Sequence, residues 1–451
     1  MKNTMFSVRF ICLLIILLSV FSCDKDDDSN AKDPYTNSVD FPEGNIFYGD
    51  VLTSSQESMG YLKTFKVNKI EGSLIIDKLN LEGLSNIVEV TENIQINSYY
   101  TEYPTIGRTL DGLLNLEGLS GISSIGGNLE IKFHNTLETL NGLENLKTIG
   151  GDLTLYLNNS LQNIDGLSSL SHVDGSISIG DNNYSSSDIL ENIDGLLSLA
   201  AVGGDLAINT NDIIIDVNGL SNVTSVGGDL IIASNGKLNS LLGLSNITSV
   251  GGSIQIINNP ILESLQGVSN INTLGDGISI GRNYKLKTLE YLPTLSRIEG
   301  DINIYYNFEL ESLYALLNIT SIGKSLTLYL NHELVSLQGL SNLASVGGDL
   351  NIGKLYYGGN RNLQNLSALS NLVSIGGGLG VFGNDALTNL NGLENVNTTE
   401  NGLLIRNNPS LNNFCALQSL ALNNNFDNYI VSNNAYNPSL EDLKSSDTCK
   451  Q

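Results

Sequence analysis

Positive charge is what this 451-residue chain lacks most: 22 Lys and Arg stand against 47 Asp and Glu, a formal net charge of −25. Gripping a phosphate backbone takes clustered cations, and none is visible, so nucleic acid is not an expected partner. Histidine is nearly missing too. The three present, His134, His172 and His332, are widely separated, which argues against a metal triad and against a Ser-His-Asp set. No glycine-rich loop follows a strand-like run in the way a nucleotide phosphate requires, so no cofactor is expected. Tryptophan is absent and proline is held to seven, while glycine reaches 46, a composition suited to many tight turns. Long hydrophobic runs are also missing: the stretch from Phe10 to Phe21 is too short to span a bilayer.

That short run follows Lys2 and Arg9 and so reads as a secretory signal. It ends in Val20-Phe21-Ser22-Cys23, which resembles a bacterial lipoprotein signal. The resemblance implies cleavage before Cys23 and lipidation of that residue, with residues 1–22 as signal peptide and 23–44 as an acidic tether. The Asp24-Lys25-Asp26-Asp27-Asp28 run is similar to the export tag of Bacteroidota-type surface lipoproteins. It implies an outer-membrane protein, lipid-anchored and exposed at the cell surface; a merely solvated tether is the alternative. Cys12 falls in the signal, which leaves Cys415 and Cys449. In an exported chain these two are expected to form a disulfide, free buried thiols being the other possibility.

What the chain has in abundance is repetition. The first apolar residue after each Gly-Gly-like turn falls at 74, 94, 129, 153, 177, 206, 230, 254, 278, 302, 326, 350, 379 and 403. From Leu129 onward nine of eleven steps are 24 residues and two are 29. Within one unit, Leu230 and Ile232 alternate as a strand with one buried face must. Leu238, Leu241, Leu244, Ile247 and Val250 then recur every three residues. Such a unit buries its apolar residues only by stacking on its neighbours. The expected fold is mainly β: a parallel β-solenoid of about 14 coils with a 24-residue period over 71–414. Small helical caps are expected at 45–70, with a helix start near Gln56, and at 415–451, with a helical stretch after Pro438.

The invariable positions have packing explanations. The Gly-Gly pair, Gly227-Gly228 in this unit, is expected to supply backbone angles closed to other residues. The small residue thirteen after the strand start, such as Gly243, answers to close approach between coils; Tyr291 is its one large exception. Five residues after the strand start stands an asparagine: Asn158, Asn182, Asn211, Asn235, Asn259, Asn283, Asn307, Asn331, Asn384 and Asn408. Asn360 joins them once a five-residue insertion is allowed, and His134 takes the place in an early coil. A column of inward amides satisfies backbone groups at a corner, so a structural ladder is expected, not a metal site.

The strand-and-corner pattern L-x-I-x-x-N with spaced leucines is similar to leucine-rich repeats, and with its leading I-G-G it is closer to the receptor L-domain. That resemblance, over roughly residues 70 to 415, implies a right-handed solenoid with capped ends and a habit of binding ligands.

Function must then lie in the positions that vary. The outward strand column from Glu130 to Leu404 is flat, small and polar, suited either to an extended partner or to solvent alone. Insertions follow Ile96, Asn182 and Ile352, all beside the same corner. They carry Tyr99, Tyr100 and Tyr103, Tyr184, and Tyr356 with Tyr357, while Tyr156, Tyr284, Tyr305, Tyr306 and Tyr329 lie near the corner elsewhere. Eleven of 18 tyrosines thus gather at one edge, a candidate binding edge for a glycan, peptide or surface protein. The plainer reading is that strand-end tyrosines cover the next coil. The column Asp152, Asp205, Asp229, Asp301 and Asp349 raises an acidic, polysaccharide-active enzyme or a calcium site. Its alternation with Asn, Ser and Gly fits a turn better. A non-enzymatic binding or adhesion module is expected, with an envelope spacer or an unrecognised glycan-active enzyme as alternatives.

Overall fold

The computed structural model describes residues 45–451 apart from 80, 98–111, 181–188, 425 and 427. Cys23, the signal and the tether lie outside the described residues, as do Tyr99, Tyr100, Tyr103, Asn182 and Tyr184.

The chain forms a parallel β-solenoid. All fourteen predicted strand starts begin strands of one sheet, from Leu74–Ile76 to Leu403–Arg406. The sheet has 16 strands, because Val51–Leu52 adds one at the N-terminal edge and Tyr429–Ser432 one at the other. At ~4.8 Å per strand it runs roughly 70 Å. Pairing sets like on like, Leu206 on Leu230, Leu230 on Ile254 and Ile254 on Ile278, so each inward column is continuous. Two-residue strands such as Ser225–Val226 build a second side, a ten-stranded and then a four-stranded sheet. Single 3₁₀ turns such as Leu242–Leu244 line a third. Inside, Leu230, Ile232, Leu238, Leu241, Leu244, Ile247 and Val250 are all buried, within one core cluster that extends from Phe47 to Leu443.

Caps close both ends. Helix α1, Gln56–Phe65, starts at Ser55, whose side chain accepts from the Ser58 amide, and buries Met59 and Leu62. At the far end lie α2, Gln418–Asn423, and α3, Leu440–Leu443, the latter begun by a capping box between Ser439 and Asp442. Cys415 and Cys449 are joined as a disulfide with Cα atoms 4.9 Å apart. Beside it the Phe414 amide donates to the Cys449 carbonyl at 2.9 Å.

Two side-chain ladders tie coil to coil, and they point opposite ways. Each described corner asparagine donates through Nδ2 to the second inward strand carbonyl of the preceding coil, at 2.8–3.3 Å. Where the preceding corner is among the described residues, its Oδ1 accepts a backbone N–H from that coil, as Asn259 does from Asn235 at 3.2 Å. His134 keeps the pattern by donating Nε2–H to the Ile96 carbonyl at 3.0 Å. The series continues to Asn434, where Asn437 Oδ1 takes the last amide at 3.0 Å. In the column before the strands, Asp, Asn or Ser, where one is present, instead accepts from the following coil; Gly277, Gly378 and Gly402 interrupt it. Asp205 accepts from the Asp229 amide at 2.7 Å, and Asp229 from the Ser253 amide at 2.6 Å.

This second ladder explains the Gly-Gly pair, and it corrects the sequence-based reason for it. Gly227 and Gly228 are not among the residues of positive φ, so unusual backbone angles are not what the position needs. Space is. A Cβ on Gly227 would lie 2.0 Å from the Gly203 carbonyl oxygen, and one on Gly228 2.0 Å from Asp205 Oδ1. The second glycine makes room for the carboxylate that the ladder needs.

Candidate ligand-binding corner

Left-handed backbone is used one residue before the corner amide. Phe133, Leu157, Thr210, Ser234, Asn258, Arg282, Tyr306, Leu330, Asn407 and Asn433 all have φ between 50° and 65°. Such angles favour glycine or asparagine, and each other residue there is strained by ~1–2 kcal/mol. The turn lets the next residue enter the core as the ladder amide. It also leaves two successive side chains outside the core, as at Tyr305 and Tyr306, before Asn307 is fully buried.

Equal offsets in neighbouring coils put aromatic rings on top of one another. Tyr305 and Tyr329 stack with centroids 5.2 Å apart and planes 5° from parallel. Tyr284, Phe308 and His332 form a second stack at 5.1 Å per step. Tyr306 bridges the two, 5.6 Å from Tyr329 and 6.0 Å from Phe308. Tyr357 adds an edge contact to Tyr329 at 6.0 Å. The result is one seven-ring cluster across four coils. Tyr329 is its floor at 7% exposure, whereas Phe308 and Tyr357 are 37% and 56% exposed.

Two cations lie on these rings. The Arg282 guanidinium sits 5.2 Å from the Tyr306 centroid, and Lys354 Nζ sits 5.1 and 5.3 Å from those of Tyr329 and Tyr357. Neither takes part in a salt bridge among the described residues. In so acidic a chain, two cations held on rings and left without a carboxylate form an unusual local field. Burial, then the neighbouring tyrosines, pushes the Tyr329 hydroxyl up to about 12, and burial raises Tyr305 as well. Burial and then Arg361 hold His332 below its ordinary 6.5.

The insertion after Ile352 is a small hairpin: Lys354 and Gly358 exchange backbone hydrogen bonds at 2.9 and 3.0 Å. Tyr356 sits at its tip, 93% exposed and with a φ of 70°. Of the proposed tyrosines, Tyr284, Tyr305, Tyr306, Tyr329 and Tyr357 are brought together by ring contacts. Tyr356 stands beside them without one. Tyr156 is elsewhere, edge-on to Phe133 at 5.2 Å. Phe308, His332, Arg282 and Lys354 were not singled out from the sequence. Their offsets are the missed signal, since Phe308 and His332 each stand one residue after the ladder amide, as Tyr284 does.

The aspartate column does not converge into a reactive site. Asp152, Asp205, Asp229, Asp301 and Asp349 each give an oxygen to an amide of the next coil. Among the described residues no group of three or more His, Cys, Asp or Glu is placed to hold a metal ion. No helix among them is long and apolar enough to cross a membrane. No protein-family model and no curated protein matches the chain.

Proposed function

We propose that this chain is a recognition or adhesion module whose partner docks on the aromatic corner from Tyr284 to Tyr357. The single observation that carries the reading is the seven-ring cluster with Arg282 and Lys354 laid on it. Rings with a buried floor and partly exposed members present a rigid apolar surface at little entropic cost. The two cations add attraction for a carboxylate or sulfate on a glycan, peptide or surface protein. The lipoprotein-like start supports attachment to the outer membrane through Cys23, with the solenoid held outward. The resemblance to receptor L-domains supports a binding role over catalysis.

The test is a glycan and matrix-protein array read with the wild-type protein and a Tyr306→Ser, Tyr356→Ser, Tyr357→Ser variant. Wild-type binding that the variant loses supports the corner. Binding that survives in the variant moves the site elsewhere, and silence of the wild type on every surface favours a spacer. Proteinase digestion of intact cells checks exposure; complete protection would refute a surface location.

A further inference from the structure

On the face lined by 3₁₀ turns five coils lack the 3₁₀ turn, and in one of them the small-residue column holds Tyr291. In most coils the glycine at this place lets a neighbouring carbonyl approach: a Cβ on Gly243 would lie 1.9 Å from the Val217 oxygen. Five coils turn with positive φ here. Four use glycine, at Gly83, Gly142, Gly267 and Gly392, and the fifth is Tyr291 with φ 75°. A bulky residue in that region is strained where glycine is not. Two further departures coincide with it. The ten-stranded short sheet ends at Thr273–Leu274 and the four-stranded one begins at Arg297–Ile298. A third amide column, in which Asn246, Asn270 and Asn342 donate to the preceding coil at 2.6–2.9 Å, breaks here. Thr294 replaces its asparagine, and at the equivalent Pro293 carbonyl the donor is the Leu295 amide, at 3.0 Å, and not Asn318.

The space so opened is a cavity of about 490 Å³ lined by Thr288, Glu290, Tyr291, Thr294, Tyr314 and Asn318 among others. Tyr291 and Tyr314 are 40% and 62% exposed. The side chains of Glu290, Thr294 and Asn318 make no hydrogen bond or ion pair within the described residues. No Lys, Arg or His lines it. We infer that this cavity is a binding site for a neutral saccharide. Its volume lies in the range of small-ligand sites. Tyrosine faces suit the C–H face of a pyranose, while a free carboxylate, amide and hydroxyl supply acceptors and donors for its hydroxyl groups. Without a cation in the lining, an anionic ligand has nothing to neutralise it. The site stands whether or not the aromatic corner binds a partner, since the two share no residue.

Saturation-transfer NMR on the purified protein tests it, with methyl glycosides of glucose, galactose, mannose and N-acetylglucosamine and with tetramethylammonium as the cationic comparison. Transfer to at least one glycoside is expected, with at least tenfold weaker binding in Tyr291→Gly and in Tyr314→Ala. Tyr291→Gly matches the residue of the four sister turns, so its thermal midpoint is expected to hold or rise. Its loss of binding is then not a loss of fold. The Tyr306→Ser, Tyr356→Ser, Tyr357→Ser variant is expected to keep the transfer. No transfer to any glycoside, equal binding by both cavity variants, or preference for tetramethylammonium would overturn the inference.

Discussion

Asn235 gives its backbone N–H to Oδ1 of Asn259, 24 residues ahead, at 3.2 Å, and the Asn259 amide returns a bond to the Ile232 carbonyl at 2.9 Å. One side chain thus satisfies two buried groups of the coil behind it. At Asn307 the same pair of bonds reaches Asn283 and Ile280. Asn307→Ala is expected to leave both unpaired, at a cost of about 2–4 kcal/mol. Asn307→Asp should cost more, since it sets an oxygen against the Ile280 carbonyl. Urea midpoints of the two variants check the order.

The left-handed position before the ladder amide gives a prediction of opposite sign. Leu330 has φ 55° and is half-buried. Leu330→Gly relieves the strain and gives up only part of a side-chain contact. A gain of about 0.5–1 kcal/mol is expected. Destabilisation in thermal melts would show that the leucine's packing outweighs its backbone cost.

Alkali should loosen the aromatic corner. Tyr329 keeps its proton up to about 12 when folded, against an ordinary 10.0. The neutral form is favoured by the fold, so this stabilisation is complete below pH 10 and is lost as pH rises from 10 toward 12. Urea midpoints at pH 8, 10 and 11 should fall for the wild type and fall less for Tyr329→Phe. Superimposable curves would remove Tyr329 as the cause.

The Cys415–Cys449 bridge, spanning 34 residues, should contribute roughly 2–4 kcal/mol. Because coils contact mainly their neighbours, its loss should stay local. Under reductant, amide exchange is expected to quicken in Tyr429–Ser432 and Leu403–Arg406 and to remain unchanged in Leu230–Ala233. Uniform acceleration would mean that the stack unfolds as one unit.

The sequence showed the strands well because a coil that stacks on its own copy must repeat its apolar spacing residue for residue. The two end strands escaped for lack of the usual leucine, although their marks are there. Gly49-Asp50 precedes Val51 as Gly228-Asp229 precedes Leu230, and Tyr429, Val431 and Asn434 keep the strand-and-corner spacing. The purpose of Gly227-Gly228 was not readable from one coil, since the atom that forbids a side chain belongs to another. The left-handed column was hidden for a different reason. The ladder imposes its backbone angle, so Phe133, Arg282 and Leu330 occupy it without any compositional trace. At the corner, the gathering of tyrosines could be seen, but the cations on their rings could not. Lys354 reaches Tyr329 only through the fold of an inserted hairpin.

The opposite directions of the two ladders bear on heredity. Most coils present the same donors and acceptors to the coil before and to the coil after, while Asn437 and Asp50 act as unlike stops at the two ends. Excision of residues 230–253 would bring Asn211 against Asn259 and Asp229 against Gly277, with the tie of each ladder remade. Length is therefore a quantity that gene duplication and deletion can edit in steps of 24 residues, without touching either terminus or the corner that carries the rings.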